Sequence, residues 1–382
     1  MRKLTHIFLM AACLVFPFGN LLRSPIGNGV ALLALDVCVG AAFLTGLPFL
    51  WGRRKDLAKD TVFRWFAVFV CIAALALLFN ASWLGLKQVF IASLYLIRFV
   101  VYASLLWIAD RQLQKPLLYS GGAMIFLGLA QYVFFPDLRP WFGYGWDEHL
   151  YRLFGTLLDP NFTGAVFVLS LAFLVRAKAS PAMIAVTLLA IFLTYSRSTY
   201  LMLLASMLTY ALLIRSAKVG LLCVGIVILG LLLIPKNFKS EGVDLLRTAS
   251  ISQRAQEYQQ ALNVWTKHPL GVGFNAYQYA QEAQGFVKKK TVIEDHSGAG
   301  VPNSYLFVLV TTGIAGLLAY LGWIMAMMKR LFHAKEYVLF ATTSGLLIHA
   351  FFENSLFYPF VLFMLFIGYA VLGHQSIQAK HR

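Results

Sequence analysis

Apolar stretches separated by short polar connections occupy almost the whole chain. The runs fall at about 4–19, 29–50, 62–80, 89–108, 117–135, 161–175, 182–195, 199–214, 219–235, 304–327, 337–352 and 357–373. A helix needs about 20 apolar residues to cross a bilayer core of about 30 Å. Barrel strands would be shorter and would alternate in polarity. The pattern therefore predicts an all-α polytopic membrane helix bundle of about twelve transmembrane spans, with residues 1–382 forming one integral membrane domain. One long polar segment, 236–303, breaks the pattern between the ninth and tenth runs. Inside it, Ala255, Tyr258, Ala261, Leu262 and Trp265 recur at three- and four-residue steps, which predicts a helix over 250–268. Pro269 and Gly271 stop it. That helix either lies on the outer membrane surface or packs on the bundle.

Composition agrees with the pattern: 60% of residues are apolar and 13% charged, and mean hydropathy is +0.73. The net charge of +16 raises the question of nucleic acid, but the positive residues mostly flank apolar runs. No nucleic-acid partner is expected. With the N-terminus inside, Arg53-Arg54-Lys55, Arg111, Lys115, Arg176, Lys178, Arg215, Lys218 and Lys329-Arg330 all fall in cytoplasmic loops. Short outer loops carry only Arg23, Lys87, Arg139 with Arg152, and Arg197. This places both termini in the cytoplasm and the 236–303 loop outside. Met1-Arg-Lys followed by Leu4–Phe18 looks like a signal sequence, but the run continues through Cys13 and reads as an uncleaved first helix. Cys13, Cys38, Cys71 and Cys223 all lie in apolar runs without CxxC spacing, so they read as small buried residues.

Charged residues in such a chain are the candidates for chemistry. Arg98 lies near the middle of its run, where insertion costs roughly 2.5–3.5 kcal/mol, so it should face protein or water. Asp36 is its possible partner. The pair reads either as a structural lock or as part of an anion site at the base of an outward-facing cavity. Arg197 occupies the tight outer turn Tyr195-Ser-Arg-Ser198. Backbone N–H groups, the hydroxyls of Ser196 and Ser198, and a guanidinium fork suit phosphate oxygens there; an arginine snorkelling to lipid headgroups is the plainer reading. Arg254, on the expected helix, is a second candidate for the same anion. Glu294, Asp295 and His296 form the only acid/base cluster in the outer loop, able to take a proton from a sugar hydroxyl. Lys288–Lys290 reads as a headgroup-facing patch. His349 and Glu353 flank the outer end of the eleventh run and could reach the same cavity. No P-loop, nucleotide fingerprint, HExxH or outer DxD-like pair is present, which leaves a nucleotide-driven activity poorly supported and gives no metal or cofactor site.

Several of these residues sit in short segments with a familiar order. Phe154-Gly-Thr-Leu-Leu-Asp-Pro-Asn161, Thr194-Tyr-Ser-Arg-Ser198, Arg254, Trp265-Thr-Lys-His-Pro-Leu-Gly-Val-Gly-Phe-Asn275, Asn303-Ser-Tyr-Leu306 and Thr312-Gly-Ile-Ala-Gly-Leu317 together resemble the O-antigen ligase/polymerase superfamily over roughly residues 90–330. The resemblance implies a membrane glycosyltransferase of the C-type architecture at the outer face of the bacterial cytoplasmic membrane. It would use an undecaprenyl-diphosphate-linked glycan, without nucleotide or metal, and a glycan, lipid or protein acceptor. Arg197 and Arg254, with Arg98, would then hold the diphosphate. Ser196, Ser198, Asn161 and Asn303 would line the site, and His296, Glu294 or Asp295 would accept the proton. Ligases of this family carry a histidine just before the asparagine that opens the following helix. Here Gly300-Val-Pro302 stands before Asn303, a departure that favours a polymerase or a divergent relative. A secondary transporter or flippase of an anionic lipid-linked substrate is the alternative; it is disfavoured because no internal repeat is evident and the candidate residues gather on one side.

Overall fold

The structure, a computed structural model, describes residues 2–27, 30–235, 243–245, 249–286 and 300–373. It is 79% helical. In chain order the helices are α1 (Arg2–Val15), α2 (Ala34–Gly52), α3 (Arg54–Lys59), α4 (Thr61–Phe79), α5 (Ala81–Leu84), α6 (Leu86–Ala103), α7 (Leu105–Ile108), α8 (Gln114–Phe134) and α9 (Pro160–Arg176). They continue with α10 (Pro181–Phe192), α11 (Arg197–Leu213), α12 (Ala217–Leu233), α13 (Ala249–Lys267), α14 (Tyr277–Ala283), α15 (Ser304–His333), α16 (Tyr337–His349) and α17 (Pro359–Gly373). Each apolar run of the sequence is occupied mainly by helix. Among the described residues, six helical segments are long and apolar enough to cross a membrane: Arg2–Leu22, Ala34–Gly52, Thr61–Phe79, Leu86–Ile108, Arg111–Phe134 and Ser304–His333. The protein is an all-α membrane bundle. Among the described residues the one sheet is a small antiparallel hairpin, β1 (Arg23–Gly27) with β2 (Val30–Leu33), so the run expected to be helical from 29 begins as a strand.

The shorter helices α9 and α17 are apolar and buried on almost every side, from Thr163 to Leu174 and from Phe360 to Leu372. A helix that is apolar all round belongs in a core. Peripheral helices such as α2 and α12 instead expose large apolar side chains, Leu44, Leu221 and Leu232 among them. In a lipid-embedded bundle these face hydrocarbon. At the end carrying the α9 and α15 C-termini, Arg176 pairs with Glu336 at 3.0 Å. There Arg330 also pairs with Asp60, the residue that caps α4.

A break in α15 organises the opposite half. Gly313 adopts φ 69°, ψ −175° inside the helix. Next to the break, Val310 O accepts from Val272 N at 2.9 Å, and Thr311 O accepts from Gly273 N at 3.0 Å. The Pro269–Gly273 stretch is thus bonded, backbone to backbone, onto the kinked helix. Both sides need glycine: a Cβ on Gly271 (φ 90°) would lie 2.5 Å from Thr311 O, and one on Gly313 would lie 2.7 Å from Pro269 O. Asn80 Nδ2 closes the joint from α4's end by donating to Gly271 O at 2.9 Å, while Trp83 stacks on His268.

This joint positions α13, which packs against α15. Its buried face is Ala261 and Val264, with Arg254, Tyr258 and Trp265 partly covered, whereas Ala255 and Leu262 are exposed. The apolar stripe expected from sequence is therefore rotated, because the helix rests on the bundle and carries Arg254 inward. Gly271→Ala is expected to destabilise the protein by roughly 2 kcal/mol or more, through overpacking and a strained φ. Gly225→Ala has open space around the new methyl and should be neutral or slightly stabilising. Thermal unfolding of the detergent-solubilised proteins compares the two.

Candidate functional site

Three helices start close together, and the local sequence explains each boundary. Asp159 caps α9: its Oδ1 accepts from Asn161 N at 2.7 Å and Phe162 N at 3.0 Å, with Pro160 in the first helical position, the arrangement that starts helices well. Ser196 caps α11, and Asn303 caps α15 by accepting from Tyr305 N and Leu306 N, both at 2.9 Å. The α9 and α11 N-termini are tied together. Ser196 Oγ donates to Asn161 Oδ1 at 2.7 Å and lies 3.1 Å from Ser198 Oγ, and Thr199 Oγ1 donates to Asn161 O at 3.3 Å. Gly164 permits this closeness, since a Cβ there would fall 2.3 Å from Thr199 Oγ1.

The turn before α11 is held by a residue that the sequence reading treated only as a loop charge. Arg152 is 4% exposed; its Nε donates to Thr194 O at 3.0 Å and its Nη2 to Tyr195 O at 3.3 Å. Tyr195 has φ 49°, a conformation that costs about 1–3 kcal/mol unless its surroundings enforce it. The guanidinium supplies part of that enforcement.

Two positive helix ends thus point at one spot, and two arginines join them. Arg197 opens α11, and its Nη1 donates to Leu245 O at 3.4 Å. Arg254 comes from α13 and is close enough for its charge to act on Arg197. Arg254 is ion-paired with Glu353, a residue 8% exposed on the loop after α16. Burial pushes the Glu353 carboxyl up to about 8 against the pull of Arg254. His349, fully buried, has Nδ1 2.5 Å from Ser355 Oγ, and its ring lies against the Asn161 backbone.

A cavity of about 330 Å³ opens beside this cluster. Arg23, Arg98, Trp146, Phe162, Asn354 and Tyr358 are among its lining residues. Phe162 and Tyr358 stack with centroids 4.0 Å apart. Flat aromatic faces beside amide and guanidinium groups suit a polar ring-shaped ligand.

Of the residues singled out from sequence, Arg197, Arg254, Ser196, Ser198, Asn161 and Asn303 come together at these helix ends. Arg98 instead stands in the cavity wall, bonded through Nη2 to Asp36 Oδ2 at 2.7 Å, with Tyr102 OH donating to the same carboxylate. Glu294, Asp295, His296 and Lys288–Lys290 lie outside the described residues. Arg152 was missed, and so was Asp159, although its Asp-Pro pair is a helix-start signal in plain view. For a metal ion, Asp147, His149 and Asp159 each offer one ligand atom within 4.8 Å of the others.

Residues 182–321 match the model of the O-antigen ligase family. Over that segment the chain is similar to the O-antigen ligase/polymerase superfamily, in line with the resemblance of its motifs. The match supports a membrane glycosyltransferase of the ligase/polymerase type in general terms. None of the curated proteins matches the chain. The matched O-antigen ligase segment contains Arg197, Arg254, Asn303 and the Gly271–Gly313 joint, whereas Asp159, Asn161, His349 and Glu353 fall outside it.

Arg152→Lys keeps the charge but loses the fork that serves two carbonyls. It is expected to lower stability by roughly 1–3 kcal/mol, the cost of unmade buried hydrogen bonds, read as a shift in the thermal unfolding midpoint of the purified protein.

Proposed function

We propose that this chain transfers a glycan from an undecaprenyl-diphosphate carrier to a hydroxyl of a glycan, lipid or protein acceptor. The site would lie at the outer face of the bacterial cytoplasmic membrane, with both termini in the cytoplasm. The observation that carries the proposal is the convergence of Arg197 and Arg254 on the paired N-termini of α9 and α11. Fixed positive groups of this kind, set in a partly water-excluded site, stabilise an anion that gains charge as a bond breaks.

In this reading the acceptor hydroxyl attacks the anomeric carbon from the side opposite the diphosphate. The bond between that carbon and the phosphate oxygen breaks, and its electron pair leaves with the diphosphate. The sugar inverts. Arg197 and Arg254 offset the leaving charge without a metal ion, and His296, Glu294 or Asp295 receives the hydroxyl proton. Gly300-Val-Pro302 in front of Asn303 favours polymer growth over ligation. Arg98, held by Asp36, serves the wall of the neighbouring cavity in this scheme.

The test is transfer by purified protein in lipid vesicles, supplied with a lipid-diphosphate oligosaccharide and followed as polymer growth or acceptor labelling. Arg197→Ala and Arg254→Ala should each reduce transfer by about 100-fold or more, the usual size for loss of one charge-stabilising donor. Membrane insertion should be unchanged. The lysine variants should retain a fraction of the rate, because a point charge replaces the fork. Full activity in both alanine variants would refute the anion-site assignment.

A further inference from the structure

Glu353 is a carboxylate placed among groups that bind anions. Its backbone is fixed from several sides. Glu353 N donates to His349 O at 3.1 Å, and Glu353 O accepts from Ser304 Oγ at 3.3 Å. Ser304 N donates to Ala350 O at 2.8 Å, Leu356 N to Ser304 Oγ at 3.2 Å, and Tyr258 OH to Phe351 O. A loop held this firmly aims its side chain. Glu353 points at Arg254, while the next residue, Asn354, lines the aromatic cavity. The carboxylate therefore faces the arginine cluster, and the residue after it lines the space in which a sugar ring fits.

An ion pair in this position has a direct competitor. A diphosphate presents several charged oxygens to a guanidinium fork and binds it more strongly than a single carboxylate does. Once Arg254 turns to the diphosphate, Glu353 is left buried, desolvated and next to the donor's reacting end.

We propose that Glu353 is the catalytic base of the transfer: the donor's diphosphate takes Arg254 from it, and the freed carboxylate receives the proton of the acceptor hydroxyl entering from the cavity. The proposal rests on the glycosyltransferase reading above and assigns the proton to Glu353 in place of the segment around His296. The acceptor O–H bond breaks as the new C–O bond forms. The proton ends on a Glu353 carboxylate oxygen, and the electron pair of the broken sugar–phosphate bond leaves on the diphosphate. Burial pushes the carboxyl up to about 8, so its deprotonated fraction is a stronger proton acceptor than an ordinary carboxylate, and that fraction grows as pH rises. The groups facing it are Arg254 and Tyr258 from α13, and Arg152, Asp147 and Asp159 from the segment before α9; His349 from α16 faces Arg254 and the Asn161 backbone.

Two measurements on the full-length protein test the proposal: binding of undecaprenyl diphosphate, and transfer from a lipid-diphosphate oligosaccharide. Glu353→Gln should bind undecaprenyl diphosphate as tightly as the unaltered protein or up to about tenfold more tightly, because Arg254 loses its competitor. Its transfer should fall by about 100-fold or more, the scale of a lost general base. Glu353→Asp should keep part of the rate, and in the unaltered protein transfer should rise as pH passes upward through the Glu353 titration. Full transfer by Glu353→Gln alongside an inactive Arg254→Ala would overturn the base assignment alone and return the proton to the His296 segment. Loss of diphosphate binding together with transfer in Glu353→Gln would also overturn it, making Glu353 a support for Arg254. If the unaltered protein neither binds undecaprenyl diphosphate nor transfers, the glycosyltransferase reading itself fails.

Discussion

Where α15 breaks at Gly313, backbone carbonyls turn out of the helix, and two amides from the Pro269–Gly273 stretch occupy them. Each such bond contributes only about 0.5–1.5 kcal/mol net, but leaving its partners buried and unpaired would cost about 1–3 kcal/mol each. The joint is therefore hard to open halfway. Because glycine is required on both faces, the loop and the helix can meet in only one register. That register fixes where α13 leaves the bundle, and hence which way Arg254 points.

From there the constraint passes to the helix ends. α13 delivers Arg254 to Glu353, and Tyr258 fastens the same helix to the loop that carries Glu353. Ser304, at the start of the broken helix, holds that loop from the other side. The anion cluster is thus supported by rigid elements rather than by free loop segments, which is the condition for a preorganised site. The cavity next to it shares this support through Phe162, one residue past Asn161, and through Asn354.

Much of this was legible in the sequence. The apolar runs located every long helix except α13, because a run of that length has few alternatives, and α13 showed in its three- and four-residue steps. The tight turn before Arg197 was legible as a place where hydroxyls and helix-start amides gather. The Arg98–Asp36 pair followed from the cost of a charge in an apolar run. Other features were hidden for identifiable reasons. The strand at 30–33 is too short to show alternation. The face of α13 was misjudged because a helix held by a fixed joint and an ion pair need not bury its most apolar stripe; Leu262 is exposed while Arg254 turns inward. Arg152 with Thr194, and Arg254 with Glu353, join residues 42 and 99 positions apart, a distance at which local pattern carries no signal.

The Ser196–Asn161 bond has a consequence for how the molecule can be divided. Ser196 lies inside the segment that matches the O-antigen ligase family, and Asn161 lies outside it. Glu353, likewise outside, closes the cluster from the far end of the chain. The matched stretch is therefore not a portable module. Excised at its own borders, it would carry both arginines and neither the helix end that packs beside them nor the carboxylate that faces them. A swap between relatives that respects function must take α9 and the loop after α16 along with it.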